Sequence, residues 1–135
     1  GAGPPPLRTE LGWLVLYHAI EEKDPHRFKV GAMILDFKDP TKILYRAHNP
    51  LLAPDKPYEN RPIRPGTRSK SGVVYVSGAV VKEGTLLVYY GGADSVTCVA
   101  SIPLEKLLSG LIQQDKEFKN YKRKNKNPVR RGRKK

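Results

Sequence analysis

Short runs of strand-forming residues, each ended by a turn, restrict what this chain can fold into. The first run, residues 13–20, follows Gly12 and stops at the charged residues 21–24. Runs of this length between turn residues are typical of β-strands. The later runs are residues 29–37, 43–46, 73–81, 85–90 and 95–102. One short helix is predicted, residues 104–111 after Pro103, so the predicted fold class is all-β.

Three consecutive runs between residues 73 and 102 predict an antiparallel meander, which is the unit of a β-propeller blade. Turn residues at 82–84 and 91–94 separate these runs. The earlier runs form a second cluster, so the chain has room for about two blades. Because a propeller closes with four to eight blades, we expect residues 1–111 to be a partial propeller that belongs to a larger domain.

The positive charge of the chain is concentrated at its C-terminal end. Residues 115–135 contain eleven Lys or Arg and two Asp or Glu, a balance of +9, which leaves only +3 of the chain's +12 for the other 114 residues. Runs of like charge repel and usually stay solvated. We therefore predict that residues 112–135 form a basic, disordered tail, which would attract polyanions without specificity.

Several classes of protein are disfavoured by what the sequence lacks. Cys98 is the single cysteine, and the three histidines have no zinc-type spacing, so we expect neither an intramolecular disulfide nor a metal site. The sequence contains no nucleophile elbow, phosphate-binding loop or dinucleotide fingerprint. No apolar run approaches the ~20 residues of a membrane helix, and no signal peptide is visible, so we expect a cytoplasmic protein.

Two residues are candidates for a binding site. His18 lies in the first predicted strand among apolar neighbours. A histidine in such a position is most often a buried core residue, and the alternative is that it binds an anion. Asp94 follows Gly91 and Gly92 in a turn next to two tyrosines, where its carboxylate could accept two sugar hydroxyls. An Asx turn explains Asp94 equally well. The local sequence alone favours the structural interpretation for both residues.

An ordered set of motifs is more specific than any one of them. The motifs are GAGPPP at 1–6, Thr9, GWL at 12–14, Tyr17-His18, GAMILD at 31–36, DPTK at 39–42, Tyr58-Glu59, VVY at 73–75, GAV at 78–80 and YYGGAD at 89–94. In this order and approximate spacing they resemble the C-terminal part of glycoside hydrolase family 130, the β-mannoside phosphorylases. The resemblance covers about residues 1–110.

The resemblance implies a five-bladed propeller, of which this chain would supply about the last two blades. It also implies that phosphorolysis of a β-mannoside proceeds with inversion, with inorganic phosphate as co-substrate and no other cofactor. His18 matches a phosphate-binding histidine, and Asp94 matches an aspartate that holds the mannosyl unit. The family's general-acid aspartate lies in the N-terminal half, so no catalytic residue is assigned in this chain.

One departure from the family pattern concerns the second strand. Many members have tyrosine where this chain has Phe28, so a hydroxyl that could contact phosphate is missing, and Lys29 or Arg27 could compensate. Some relatives hydrolyse mannosides, which leaves phosphorolysis and hydrolysis both open. The basic tail lies outside the family pattern.

Two hypotheses other than a portion of an enzyme remain open for this chain. The first is a non-catalytic carbohydrate-binding remnant, for which Asp94 and the tyrosines would suffice. The second is a protein that binds polyanions through its basic tail; nucleic acid is not expected, because the strands lack the interleaved aromatic and basic surface that single-strand binders use. The expected partners are a β-mannoside oligosaccharide, phosphate and the missing N-terminal blades, with a homo-oligomer left open.

Overall fold

The structure is a computed structural model that describes residues 1–60 and 72–126. The chain is mostly β-sheet and ends in a helix. A short 3₁₀ helix, Pro57–Glu59, precedes the fifth strand. The strands and the helix are β1 (Leu7–Arg8), β2 (Trp13–Glu21), β3 (Asp24–Leu35), β4 (Ile43–Arg46), β5 (Gly72–Lys82), β6 (Thr85–Gly92), β7 (Val96–Pro103) and α1 (Leu104–Lys126).

The strands form two antiparallel meanders. The first runs β1–β2–β3–β4, and the second, predicted from the sequence, runs β5–β6–β7. A short parallel pairing joins them, with Arg27 opposite Gly72 and Phe28 opposite Val73. The two clusters expected from the sequence are therefore present as two meanders, which the β3–β5 pairing joins into one seven-stranded sheet.

Alternation along the strands buries one face of each meander. In the first, Leu14 and Leu16 of β2 lie opposite Ile34 and Ala32 of β3, and all four are buried. These side chains belong to one core cluster with Val30 of β3 and with residues from the second meander and the helix, namely Val74, Val76, Leu86, Val88, Tyr90, Leu107, Leu108 and Leu111. Each buried aliphatic side chain stabilises the fold by roughly 1.5–3 kcal/mol, so this one cluster holds both meanders and α1 together.

The helix differs from the prediction. The sequence analysis ended it at residue 111 and treated residues 112–135 as a disordered tail, but α1 continues to Lys126. The predicted boundary at residue 111 therefore falls inside the helix. Two tertiary contacts explain the extension: the Phe118 ring stacks on His48 at 3.8 Å, and Gln114 Oε1 accepts hydrogen bonds from the His48 and Asn49 N–H groups. Residues 127–135 of the predicted tail lie outside the described residues.

The limits of β3 also differ from the prediction of residues 29–37. The strand begins at Asp24, because it pairs with β2 up to a two-residue turn between Glu21 and Asp24. It ends at Leu35, because the Asp36 carboxylate accepts hydrogen bonds from the N–H groups of Lys38 and Asp39 and closes a turn. No helix in the described ranges is long and apolar enough to cross a membrane.

Candidate functional site

His18 lies on the buried face of β2, opposite Val30, with 6% of its surface exposed. The backbone N–H of Val76 donates a hydrogen bond of 2.8 Å to its Nε2. Because Nε2 accepts, the neutral imidazole carries its proton on Nδ1. Nδ1 is also buried and makes no well-aligned hydrogen bond among the described residues, although the Ala2 carbonyl lies near enough to act as an acceptor and to oppose the lowering of the His18 pKa. Because Nδ1 is buried, an external acceptor reaches it only if the Ala2 carbonyl moves aside.

The Tyr75 ring covers the imidazole of His18. The two rings are stacked, with 4.0 Å between their centroids and 8° between their planes. Tyr75 is 51% exposed. Burial lowers the pKa of His18 below its ordinary value. The imidazole is therefore a neutral donor at pH 7, fixed by Val76 and by the stack with Tyr75.

The first residues of the chain run beside the histidine strand. The His18 N–H donates to the Gly1 carbonyl at 2.8 Å, and the Gly3 N–H donates to the Leu16 carbonyl at 3.1 Å. A Cβ on Gly3 would lie 2.5 Å from the Leu16 carbonyl oxygen. The glycine is thus needed for this close approach, which gives the glycine–proline motif at 1–6 a structural role at the site.

Asp94 lies in the turn between β6 and β7. Ala93 and Asp94 both have left-handed backbone conformations, with φ of 47° and 52°. The turn is fixed by the Ala93 N–H, which donates to the Val73 carbonyl at 3.0 Å, and by Ser95 Oγ, which donates to the Ala93 carbonyl at 2.8 Å. The Asp94 side chain is exposed and makes no hydrogen bond to the turn within the described residues. An Asx turn therefore does not account for it.

The structure brings the two predicted residues to the same segment of β5. His18 is anchored to Val76, and the Asp94 turn is anchored to Val73. Three residues of a strand span about 10 Å. Tyr75 lies between these two anchors and pairs with Gly91 at the end of β6. Both candidate residues are thus tied to one segment of β5, Val73 to Val76.

Glu59 supports the site from behind, and local sequence reasoning did not single it out. Its side chain is 2% exposed, its Oε1 accepts from the Tyr90 hydroxyl at 2.6 Å, and its Oε2 accepts from the N–H groups of Asp55 and Lys56, each at 2.9 Å. Burial and the Glu59 carboxylate raise the pKa of Tyr90. Because both carboxylate oxygens are occupied, Glu59 has a structural role. The contact with Tyr90 joins residues 31 positions apart and leaves no local signal, whereas the contacts with Asp55 and Lys56 are local.

The two cations near Phe28 are already engaged. Lys29 Nζ lies 3.2 Å from both Glu21 and Asp24, and Arg27 donates to the Pro54 carbonyl. Burial acts to lower the pKa of Lys29, but the hydrogen bonds and charges of the two carboxylates outweigh it and raise the pKa. Neither cation is available in this structure to replace a missing tyrosine hydroxyl. Phe28 itself is 44% exposed and pairs with Val73, beside the Asp94 turn.

A family model and several curated proteins match this chain. A family model described as beta-1,4-mannooligosaccharide phosphorylase matches residues 1–113. A 1,2-beta-oligomannan phosphorylase from Thermoanaerobacter sp. is 37% identical over 107 residues, which is 79% of this chain and 33% of the relative. A beta-1,4-mannooligosaccharide phosphorylase from Ruminococcus albus is 36% identical over 103 residues, which is 74% of this chain and 28% of the relative.

Solved structures are similar as well. The beta-1,2-mannobiose phosphorylase from Listeria innocua, solved as a complex with beta-1,2-mannobiose, superposes with a TM-score of 0.69 at 37% identity. The superposition covers 82% of this chain and 29% of that structure. The chain spans about a third of the length of the curated relatives it matches.

Proposed function

Because this chain belongs to glycoside hydrolase family 130, we propose that it provides the phosphate-binding and mannose-binding region of a β-mannoside phosphorylase. The observation that carries the proposal is the neutral His18 imidazole, whose Nε2 is committed to Val76 so that Nδ1 is its donor, on the same segment of β5 that anchors the Asp94 turn. A phosphate oxygen is an acceptor that this donor can bind in place of the Ala2 carbonyl.

The proposed mechanism gives His18 and Asp94 different roles. His18 donates its Nδ1 proton in a hydrogen bond to inorganic phosphate and orients it toward the anomeric carbon. A phosphate oxygen forms a bond to that carbon, the glycosidic C–O bond breaks, and the leaving oxygen takes a proton from a general acid. The product is α-mannose 1-phosphate, with inversion of the β-linkage. We assign no residue of this chain as the acid.

Asp94 is proposed to hold the sugar that is transferred. An exposed carboxylate can accept two adjacent sugar hydroxyls in charge-assisted hydrogen bonds, which are stronger than neutral ones. The positive φ values of Ala93 and Asp94 are those of a tight hairpin turn. The turn is anchored to Val73, so the carboxylate is presented from a fixed backbone.

The assignment of the two meanders to propeller blades is also part of this proposal. We take the two meanders as two blades of a five-bladed propeller, with the site at the β5 segment that both meanders contact. The similarity to the Listeria innocua enzyme supports this assignment. A cytoplasmic location and completion of the active site by further blades are parts of the proposal.

Phosphate binding by this chain tests the proposal. We expect inorganic phosphate to shift the imidazole resonances of His18 in an NMR titration, and His18→Gln to abolish saturable binding. The exposed His26 provides the matched control, because His26→Gln should bind phosphate as the wild type does. Unchanged His18 resonances at roughly 10 mM phosphate, ten times the usual upper KM of about 1 mM, would contradict the phosphate role.

A second candidate function is carbohydrate binding without turnover. The exposed Asp94 carboxylate and the half-exposed rings of Tyr75 and Tyr89 favour it, since tyrosine rings offer amphipathic stacking surfaces for sugars. It predicts that the chain binds mannobiose with an affinity that does not depend on phosphate. Coupled binding, in which phosphate raises mannobiose affinity, would favour the phosphorylase function instead.

A further inference from the structure

The outer edge of β7 is open. Within residues 1–60 and 72–126, β7 is the last strand of the sheet and pairs with β6 on one side and with no strand on the other. The first meander has four strands and the second has three. Because propeller blades have four strands and leave only short, protected edges, the second meander has a place for one further strand beside β7.

The sequence of β7 does not protect this edge. The other edge strands are protected: β1 has two residues, and β4 has four, ends in Arg46 and pairs irregularly with β3. β7 has eight residues, none of them charged, and pairs with β6 without a register shift. Short length, charge, irregularity and proline are the features that prevent an edge from pairing. Apart from Pro103 at its end, β7 has none of them.

The register identifies the backbone groups that face the open edge. The Leu104 N–H donates to the Gly84 carbonyl at 2.9 Å, at the position that continues the β6–β7 register. Because hydrogen-bonded pairs of antiparallel strands recur at every second residue, the even-numbered residues of β7 bond to β6. The N–H and C=O groups of Thr97, Val99 and Ser101 therefore point to the open edge. Their side chains are exposed as well.

A second copy of β7 is complementary to this edge. In an antiparallel pairing with Val99 opposite the partner's Val99, Thr97 lies opposite the partner's Ser101. All the backbone groups that face the edge then exchange hydrogen bonds in the pattern of an antiparallel ladder. No like charges meet, because β7 carries no charge, and the two valines form an apolar pair across the strands.

Other registers use the edge less well. A pairing centred on Ala100 places Thr97 opposite the partner's Pro103, and proline has no N–H to donate. A pairing centred on Cys98 brings Ser95 into the ladder, but the Ser95 N–H already closes the turn before β7. The register centred on Val99 therefore satisfies more of the edge than its neighbours do.

We propose that β7 is a dimerisation surface, at which a second copy of this chain pairs its own β7 antiparallel about a two-fold axis at Val99. The pairing gives each second meander the fourth strand beside β7 and joins the two sheets. It acts through the backbone of a strand edge, which distinguishes it from association through an apolar sheet face. It does not depend on the proposed phosphate and mannose site.

A disulfide across the axis tests the register in the full 135-residue chain. Val99→Cys, made with Cys98→Ala, should form a covalent dimer on mild oxidation, because hydrogen-bonded partners have Cα atoms about 5.5 Å apart, within the range of a disulfide. The wild-type Cys98 residues would be diagonal neighbours at roughly 7–8 Å, beyond that range, and should not cross-link. Val80→Cys, also with Cys98→Ala, is the matched control on the exposed face of β5 and should stay monomeric on a non-reducing gel.

A second pair of variants tests the backbone contact. Thr97→Pro removes an N–H from the open edge and leaves the bonds to β6 in place, so it should weaken dimerisation at least tenfold in sedimentation equilibrium. Thr97→Ala loses the same side chain but keeps the N–H, so its dissociation constant should stay within about twofold of the wild type. Circular dichroism checks that both variants are folded.

Several results would overturn the proposal. A wild-type chain that is monomeric at micromolar concentration excludes the dimer. A Val80→Cys variant that cross-links as readily as Val99→Cys shows association without a register. A Thr97→Ala variant that loses as much affinity as Thr97→Pro shows that the side chain, and not the strand edge, makes the contact.

Discussion

At the scale of single residues, Gly12 sets the entry of the chain into the first meander. Its φ is +151°, and a Cβ there would overlap the Leu35 carbonyl oxygen and lie 2.8 Å from Ile34 Cγ2. The buried Thr9 hydroxyl donates to the Gly12 carbonyl at 2.7 Å. The turn before β2 is therefore built on a conformation and a clearance that only glycine provides.

We predict that Gly12→Ala lowers the free energy of unfolding by about 1–3 kcal/mol, through backbone strain and overlap with β3. Urea denaturation measures this change. Gly110 in α1 is the matched control, because an added Cβ there meets no atom within 4 Å. Gly110→Ala should stabilise the protein by about 0.5–1 kcal/mol. An equal effect at both positions would show that the turn tolerates a side chain.

The pH dependence of stability is a second prediction at this scale. Burial lowers the pKa of His18 in the folded chain below the ordinary 6.5. As the pH falls below about 6.5, the unfolded chain takes up a proton on His18 that the folded chain resists. His18 thus contributes stability that is present above this pH and is lost as the pH falls.

We expect the free energy of unfolding of the wild type to decline more between pH 7 and pH 5 than that of His18→Gln. Urea titrations at each pH give the difference. His26→Gln, at an exposed histidine, should show the full wild-type decline. Parallel curves for the wild type and His18→Gln would contradict the burial of a neutral imidazole.

Both candidate residues could be named from the sequence, but their structural environment could not be predicted. The motif order pointed to His18 and Asp94. The hydrogen bond from Val76 to His18 joins residues 58 positions apart, and the stack with Tyr75 depends on the same long-range packing. No local pattern encodes contacts of this kind, because they form only when two meanders pack on each other.

At the scale of elements, the bounds of most strands agree closely with those predicted from the sequence. The helix is longer than its composition predicted. β4 matched the predicted residues, and β2, β5, β6 and β7 each differed by at most two residues at either end. The prediction ended α1 too early because the charged sequence after residue 111 has no apolar stripe of its own. The His48 and Asn49 contacts with Gln114 and Phe118 supply the missing stabilisation.

We predict that Phe118→Ala frays α1 beyond residue 114, because the stack on His48 is lost. Helical content measured by circular dichroism should fall, and amide exchange should speed up in the last two turns. Tyr121→Ala, at a ring that is 65% exposed, should leave both measurements unchanged. A helix that stays intact in Phe118→Ala would show that intrinsic propensity, and not the contact, extends α1.

At the scale of the whole molecule, the outer face of the second meander is apolar, and none of residues 1–60 and 72–126 covers it. Val80 is 45% exposed, Tyr89 41% and Val99 56%, and Tyr89 pairs directly with Val99. An exposed apolar sheet face favours association. A partial propeller of about two blades would leave such a face uncovered, because further blades normally pack beside it.

We predict that the isolated chain self-associates at micromolar concentration and that Val99→Lys reduces the association by placing a charge on this face. Sedimentation velocity measures the distribution of species. Ile43→Lys is the matched control, since Ile43 is 48% exposed on β4 in the first meander, and it should leave the association unchanged. A monodisperse wild-type monomer would show that this face needs no cover.

The most direct measurement of the central claim is turnover by a chimera. Residues 1–113 of this chain would replace the matching third of the Listeria innocua beta-1,2-mannobiose phosphorylase, which supplies the remaining sequence. We predict that the folded chimera converts beta-1,2-mannobiose and phosphate to α-mannose 1-phosphate, and that His18→Gln and Asp94→Asn each lower kcat/KM at least a hundredfold, or about 2.7 kcal/mol. A folded chimera that releases only mannose, or one that is indifferent to His18→Gln, would contradict the assignment.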